Sequence, residues 1–259
     1  TIKPQLFNND KFLLQNEYRQ KTKKTLSLVD FGFVNGHDSS VDDKGGNRTH
    51  IFTKSIIDLS LDDYIDSTLR VDYQKTSNDN YLKIFDVKSS ILPVSNDVLE
   101  SVIKLDLEHE NYDFTASLER YETLKGSNSD RYQYVLPTYN FNKNLYLESL
   151  KGGLNFNSYG NNTLKDTNIT TSTLFNDLNY SALNKFLENG IKTNFNIFLK
   201  NVNTIGKNNP KYEESPRSEL MSAYTYNVSL PMVKKTNTNF NTLEPKLSLR
   251  LSPHDMKNN

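Results

Sequence analysis

The sequence predicts an all-β chain: an antiparallel transmembrane β-barrel, present as about thirteen strands of a larger barrel. Three observations predict it. Apolar and polar residues alternate with period two over long segments. The segments exceed soluble-strand length, and the connections between them alternate long and short. Composition agrees. The hydrophobic fraction is 35% and the mean hydropathy −0.68, yet there are 15 Tyr and 14 Phe. Disordered chains lack aromatics, and compact globular chains are more apolar. A large barrel accommodates both, because one strand face meets lipid and the other a wet interior.

The expected strands are 1–7, 12–21, 25–35, 48–59, 66–74, 98–109, 112–122, 132–142, 145–159, 164–181, 190–200, 218–230 and 243–252. In 101–109, Ile103, Leu105 and Leu107 share one face, and Lys104, Asp106 and Glu108 the other. Tyr112, Phe114, Ala116 and Leu118 oppose Asp113, Thr115, Ser117 and Glu119. Ile191, Phe195, Ile197 and Leu199 oppose Lys192, Asn194, Asn196 and Lys200. Leu247, Leu249 and Leu251 alternate with Lys246, Ser248 and Arg250. Successive strand side chains point to opposite faces, so each segment has an oily and a wet surface. A short helical turn is expected near Ala182–Glu188, from Leu183, Phe186 and Leu187.

Long connections fall at 36–47, 75–97, 123–131 and 201–217, with short ones at 60–65, 110–111 and 143–144. Long outer loops and short inner turns are the habit of outer-membrane barrels. Most segments reach the ~9–11 residues a crossing strand needs, against ~5–6 in soluble sheets. Tyr132, Tyr134, Tyr139 and Phe141 near strand ends suit an interfacial aromatic girdle. Tyr is also simply a good strand former.

Candidate chemistry is sparse. Equal numbers of basic and acidic residues, 31 each, argue against a nucleic-acid partner. With no Cys there is no thiolate site. His37, His50, His109 and His254 lack ligand spacing and are expected to be solvated. Asp62, Asp63 and Asp66 read as turn chemistry rather than a Ca²⁺ site. Asp38, Asp42 and Asp43 beside Gly45 and Gly46 read as a solvated loop, with cation bridging to lipid phosphates as the alternative. Asn47, Asn161 and Asn168 open Asn-x-Thr triplets, which matter only in a eukaryotic secretory chain. Lys234-Lys235 and Glu213-Glu214 read as loop residues. No nucleophile, phosphate-loop or zinc motif is present, so no catalytic residue, cofactor or metal is expected. The chain opens in a strand pattern without a secretory signal, and is read as an internal piece of a longer protein.

Three phrases carry a family resemblance. They are Leu69-Arg70-Val71-Asp72-Tyr73 running into Asn78-Asp79-Asn80-Tyr81-Leu82; Tyr132-Gln133-Tyr134-Val135-Leu136-Pro137-Thr138-Tyr139; and Thr242-Leu243-Glu244-Pro245-Lys246. In order and spacing they resemble LptD, the lipopolysaccharide-assembly barrel family, and the Leu-Glu-Pro-Lys phrase is the most specific. Pro137 departs from the family pattern in being followed by Thr138. The resemblance implies a bacterial outer-membrane protein that releases lipopolysaccharide into the outer leaflet without covalent chemistry. This chain would supply barrel wall and lumen loops of that translocon, without the family's jelly-roll domain, closing strands, lateral gate or cysteine pairs. Lys104, Asp106, Glu108, Lys192, Asn194 and Asn196 would face the lumen. Asp79, Tyr81 and Leu82 would belong to a loop folded into it. Implied partners are an LptE-like plug lipoprotein inside the barrel, an LptA-like periplasmic bridge reached through the missing jelly-roll, lipopolysaccharide and outer-membrane lipid. Two alternatives stay open: another large barrel, a porin or TonB-dependent receptor, and a soluble β-rich surface binding protein with packed apolar faces.

Overall fold

The computed structural model describes residues 1–7, 12–37, 46–92, 97–125, 131–236 and 238–253. The alternating segments form strands throughout. β1 (Ile2–Leu6), β2 (Phe12–Lys21), β3 (Thr25–His37), β4 (Gly46–Asp58) and β5 (Asp66–Thr76) precede one helical turn, α1 (Tyr81–Ile84). Then come β6 (Val98–His109), β7 (Tyr112–Thr123), β8 (Tyr132–Leu147), β9 (Gly152–Lys165) and β10 (Ile169–Ala182). The remainder is β11 (Lys185–Phe186), β12 (Lys192–Lys207), β13 (Arg217–Ser229), β14 (Met232–Lys235), β15 (Phe240–Leu243) and β16 (Lys246–Leu251).

Each strand pairs antiparallel with its chain neighbour, from β1 to β10 and on through β12, β13 and β16. β11 pairs with β12, and β14–β15 form a separate hairpin, so the large sheet has 14 strands among the described residues. This is a partial, unclosed barrel sheet, with β1 and β16 at its two edges. From β2 to β13 the strands other than β11 run 10 to 16 residues, enough to cross a bilayer when tilted.

Several local expectations fail. Lys143–Asn144 is not a turn; β8 runs through it, and the chain turns over Glu148–Leu150. β9 and β10 meet in a tight turn, with Asp166 and Thr167 left-handed at φ 50° and 62°. β12 continues to Lys207, where a loop is expected from 201. Residues 182–188 form the end of β10 and β11, not a helix. The hairpin Met232–Leu243 is absent from the strand expectations.

The sheet's two faces differ. α1 and the segment after it pack over one face and its rim: Tyr81, Leu82, Phe85 and Val87 join Leu13, Val34 and Phe52 of that face, and Leu99 and Leu124 at the loop end of β6 and β7, in one buried cluster. Burying each large side chain is worth about 1.5–3 kcal/mol, enough to fix the loop in place. On the opposite face Leu14, Tyr18, Phe31, Ile51, Tyr73, Ile103 and Leu118 align through the strand register, and each is at least 40% exposed.

Candidate functional site: a polar face capped by a loop

The loop-capped face is polar along nearly every strand. In β2, Gln15 and Glu17 alternate with exposed Leu14 and Asn16, and both are buried. Gln15 Nε2 donates to both oxygens of Asp30, at 3.0 and 2.9 Å, and at 3.1 Å to the Lys88 carbonyl in the loop. Ser90 Oγ donates to Glu17 at 3.0 Å, and Arg19 pairs with Glu17 at 2.5 Å. His50 sits between strand and loop. Its Nδ1 is 3.0 Å from the Tyr81 hydroxyl, its Nε2 3.4 Å from Asp30, and its ring stacks on Phe52 at 4.6 Å. His50 is therefore buried, at 1% exposure, and not solvated as expected. Burial raises the Tyr81 hydroxyl pKa, and the Asp30 carboxylate adds to it. Tyr81 thus stays a neutral hydroxyl that can bond His50.

The polar strip continues along the same face. Arg70 bonds Asp72, Lys104 pairs with Asp106 at 2.9 Å, and Thr115 donates to Asp106 at 2.9 Å. Asn155 bridges Asn142 and Asn144 at 3.2 and 2.7 Å. Lys200 pairs with Asp177 at 3.4 Å over the Phe175 and Tyr159 rings. Ser181 donates to Asn196 at 2.7 Å, and Asn227 to Asn194 at 3.4 Å. Lys192 reaches Glu244, between β15 and β16, at 3.3 Å, and Ser229 donates to Glu244 at 2.9 Å. The Ser229 hydroxyl and then Lys192 hold the Glu244 carboxyl below its ordinary pKa.

All six strand residues singled out from the sequence lie on this face. They form two groups, Lys104, Asp106 and Glu108 on β6 and Lys192, Asn194 and Asn196 on β12, separated by β7 to β10. Tyr81 and Leu82 are buried in the cluster on the face. Asp79 points elsewhere, pairing with Arg131 at 2.5 Å. The sequence reading missed Gln15, Glu17, Asp30 and His50. Their alternation was visible, but only the loop above them makes them buried.

The opposite face carries an aromatic ladder near the short-turn end. Tyr64 meets His109 and Tyr112 at 5.9 and 6.2 Å, His109 stacks on Tyr112 at 4.5 Å, and the series runs on through Phe141 to Phe156. Asp62 and Asp63 lie in a turn closed by the Tyr64 amide on the Leu61 carbonyl at 3.1 Å, and Asp66 opens β5; just before it Asp58 Oδ1 accepts from the Ser60 amide at 2.7 Å, with Ser60 at φ 48°. Among the described residues no three His, Cys, Asp or Glu side chains are grouped to hold a metal. Asp38, Asp42, Asp43 and His254 lie outside the described residues.

The described residues present a polar wall, a fixed inner loop and an apolar back, and no catalytic constellation is found among them. The family model for LptD, LPS transport system D, matches residues 57–259. The chain belongs to the LptD family. The match runs from the end of β4 through β16 and includes the α1 loop. LptD is a lipopolysaccharide transport and assembly family of the outer membrane, not an enzyme family. No curated protein matches the chain.

Proposed function

We propose that this LptD chain is wall and lumen of a lipopolysaccharide translocon in the bacterial outer membrane, all of it part of one barrel domain. The observation that carries the reading is the asymmetry of the sheet. An internal loop, anchored by buried contacts, occupies the polar face, while large apolar side chains stand exposed on the other. An apolar face left open in water is costly, at about 25 cal/mol per Å². In lipid it costs nothing, and the inner strands, each with a neighbour on both sides, pair their backbone groups along the ladder.

On this reading the polar face is the lumen, and Lys104, Asp106, Glu108, Lys192, Asn194 and Asn196 line it. Their ion pairs and amide ladders present fixed donors and acceptors to a sugar–phosphate headgroup. The acyl chains stay outside that wet surface. The same face would seat an LptE-like plug, and an LptA-like bridge would deliver the substrate from the periplasm through a jelly-roll domain. A porin or receptor would share the strands but not the family match. A soluble sandwich requires a second sheet over the apolar face, and the described residues form one large sheet.

The test is site-specific photocrosslinking in intact outer membranes. A photoreactive residue at Lys104 or Asn194 is expected to yield protein or lipopolysaccharide adducts, and one at Ile103 or Leu118 bulk lipid only. Protein adducts from Ile103 and lipid adducts from Lys104 would reverse the assignment of the faces.

A further inference from the structure

Away from the α1 loop, the polar face carries a recess over β8, β9 and β10. The pairing register sets Asn140 of β8 beside Tyr159 of β9, and Tyr159 beside Phe175 of β10. One pleat along, Asn161 lies beside Thr173. The register runs on through Thr115 to Asp106, so these side chains share the face of Lys104 and Asp106. With Asn157 they line a cavity of about 450 Å³, inside the ~300–1,000 Å³ range of small-ligand sites. Tyr159 and Phe175 stack there, centroids 4.9 Å apart and planes within 13°. Lys200 Nζ donates to the Tyr159 hydroxyl at 3.3 Å and is itself paired with Asp177 at 3.4 Å, which holds the ring pair in place. The residues lining the cavity are all uncharged. Thr173 Oγ1 donates to Asn161 Oδ1 at 3.3 Å, which leaves the Asn161 amide N–H groups to donate. Asn157 Oδ1 is buried with no hydrogen-bond partner among the described residues, so it has accepting capacity to spare.

We infer that this recess binds an uncharged pyranose of the lipopolysaccharide headgroup. The inference rests on the reading that the polar face is the lumen and that the headgroup passes along it, and it names which part of the headgroup is held. The C–H groups of a pyranose are slightly positive and suit the negative face of an aromatic ring. Its hydroxyls both donate and accept, as carboxamides do, so Asn157 can take a proton and Asn161 can give one. A phosphate only accepts and calls for a free cation, whereas Lys200, beside the rings, is already paired with Asp177. An acyl chain would leave the amides unpaired. A peptide would match the amides but has no flat apolar face ringed by hydroxyls to lie on the rings. Lys200 and Asp177 are positioning residues, acting through Tyr159.

The experiment places photoreactive p-benzoylphenylalanine at position 140, on the exposed rim of the recess, in the intact protein. That protein is reconstituted in phosphatidylcholine vesicles with lipopolysaccharide or with lipid A, which lacks the oligosaccharide. Adducts with lipopolysaccharide are expected to exceed those with lipid A. They should fall about fivefold in Y159L, which keeps bulk but loses the ring, and return in Y159F. Excess dephosphorylated oligosaccharide should compete them away, and excess inorganic phosphate should not. Heat-modifiable migration on gels reports whether each variant is folded. Equal adducts with lipopolysaccharide and lipid A, or a folded Y159L that crosslinks like the parent, would overturn the sugar site while leaving the lumen assignment intact. Phosphatidylcholine as the main adduct would overturn the lumen assignment itself. Displacement by phosphate would mark an anion site, and protein adducts that the oligosaccharide does not compete away would mark a seat for a protein plug; either result rejects the sugar.

Discussion

At the scale of single residues, the loop contact depends on a missing side chain. A Cβ on Gly32 would lie 2.2 Å from His50 Cε1, 2.6 Å from Nδ1 and 2.9 Å from the Tyr81 hydroxyl. His50 has no room to retreat, being stacked on Phe52 and bonded to Asp30. Gly32→Ala is therefore expected to destabilise the protein by about 1–3 kcal/mol through overpacking, and to expose the loop to protease. Gly153→Ala is the matched control, because nothing lies within 4 Å of its added carbon; its effect should stay within about 0.5 kcal/mol. Tyr81→Phe keeps the ring but strips the bond to His50, leaving a buried ring nitrogen short of a partner at a cost of about 1–3 kcal/mol. Thermal denaturation of the three variants in one detergent orders them, and an unshifted Gly32→Ala would show that the loop does not sit over β3. None of this was legible from sequence. Gly32 reads as one glycine in a strand, and His50 as one scattered histidine, until the loop brings residues thirty positions apart together.

At the scale of elements, the long strands were legible and the asparagines misled. Asn142 and Asn144 look like turn residues, and so do Asn201 and Asn203. In the sheet they form cross-strand amide ladders instead: Asn155 spans the first pair, and Asn176 and Ser218 flank Asn201. Paired amides satisfy each other and remove the reason to turn. Conversely, Asp166-Thr167 turns with positive φ at both residues, a geometry usually signalled by Asn-Gly, so its sequence gave no warning. The α1 segment is pinned at its C-terminal end by Asp97, which Lys125 and Lys83 both reach at 2.5 Å. Lys125 first, then Lys83, hold this carboxyl below its ordinary pKa. A depressed folded-state value means the clamp is complete above the ordinary aspartate range and is lost as pH falls through the lower folded value. Hydrogen exchange over residues 79–92 should thus be unchanged from neutral pH down to mild acid and accelerate only in strong acid. Asp97→Asn should abolish that acid step and raise exchange at neutral pH to the level the unsubstituted protein reaches in strong acid. A step near neutrality would point to another group as the clamp.

At the scale of the whole molecule, the exposed apolar face and the sheet edges make one argument about solvent. Ile2 and Leu6 on β1, and Leu247, Leu249 and Leu251 on β16, are all more than 60% exposed on strands with one neighbour each. Unpaired edges beside uncovered apolar side chains template further pairing, and charge does little to blunt them here. Equal acidic and basic totals leave no net repulsion to keep copies apart. The chain of residues 1–259 should therefore aggregate from denaturant into plain buffer and gain β-sheet circular dichroism only when diluted into detergent or lipid. In detergent the two edges remain, so self-association should persist and grow with chain concentration by sedimentation. A chain that sediments as a folded monomer in buffer would defeat the membrane reading, because no arrangement of this sheet hides both the back face and the edges from water.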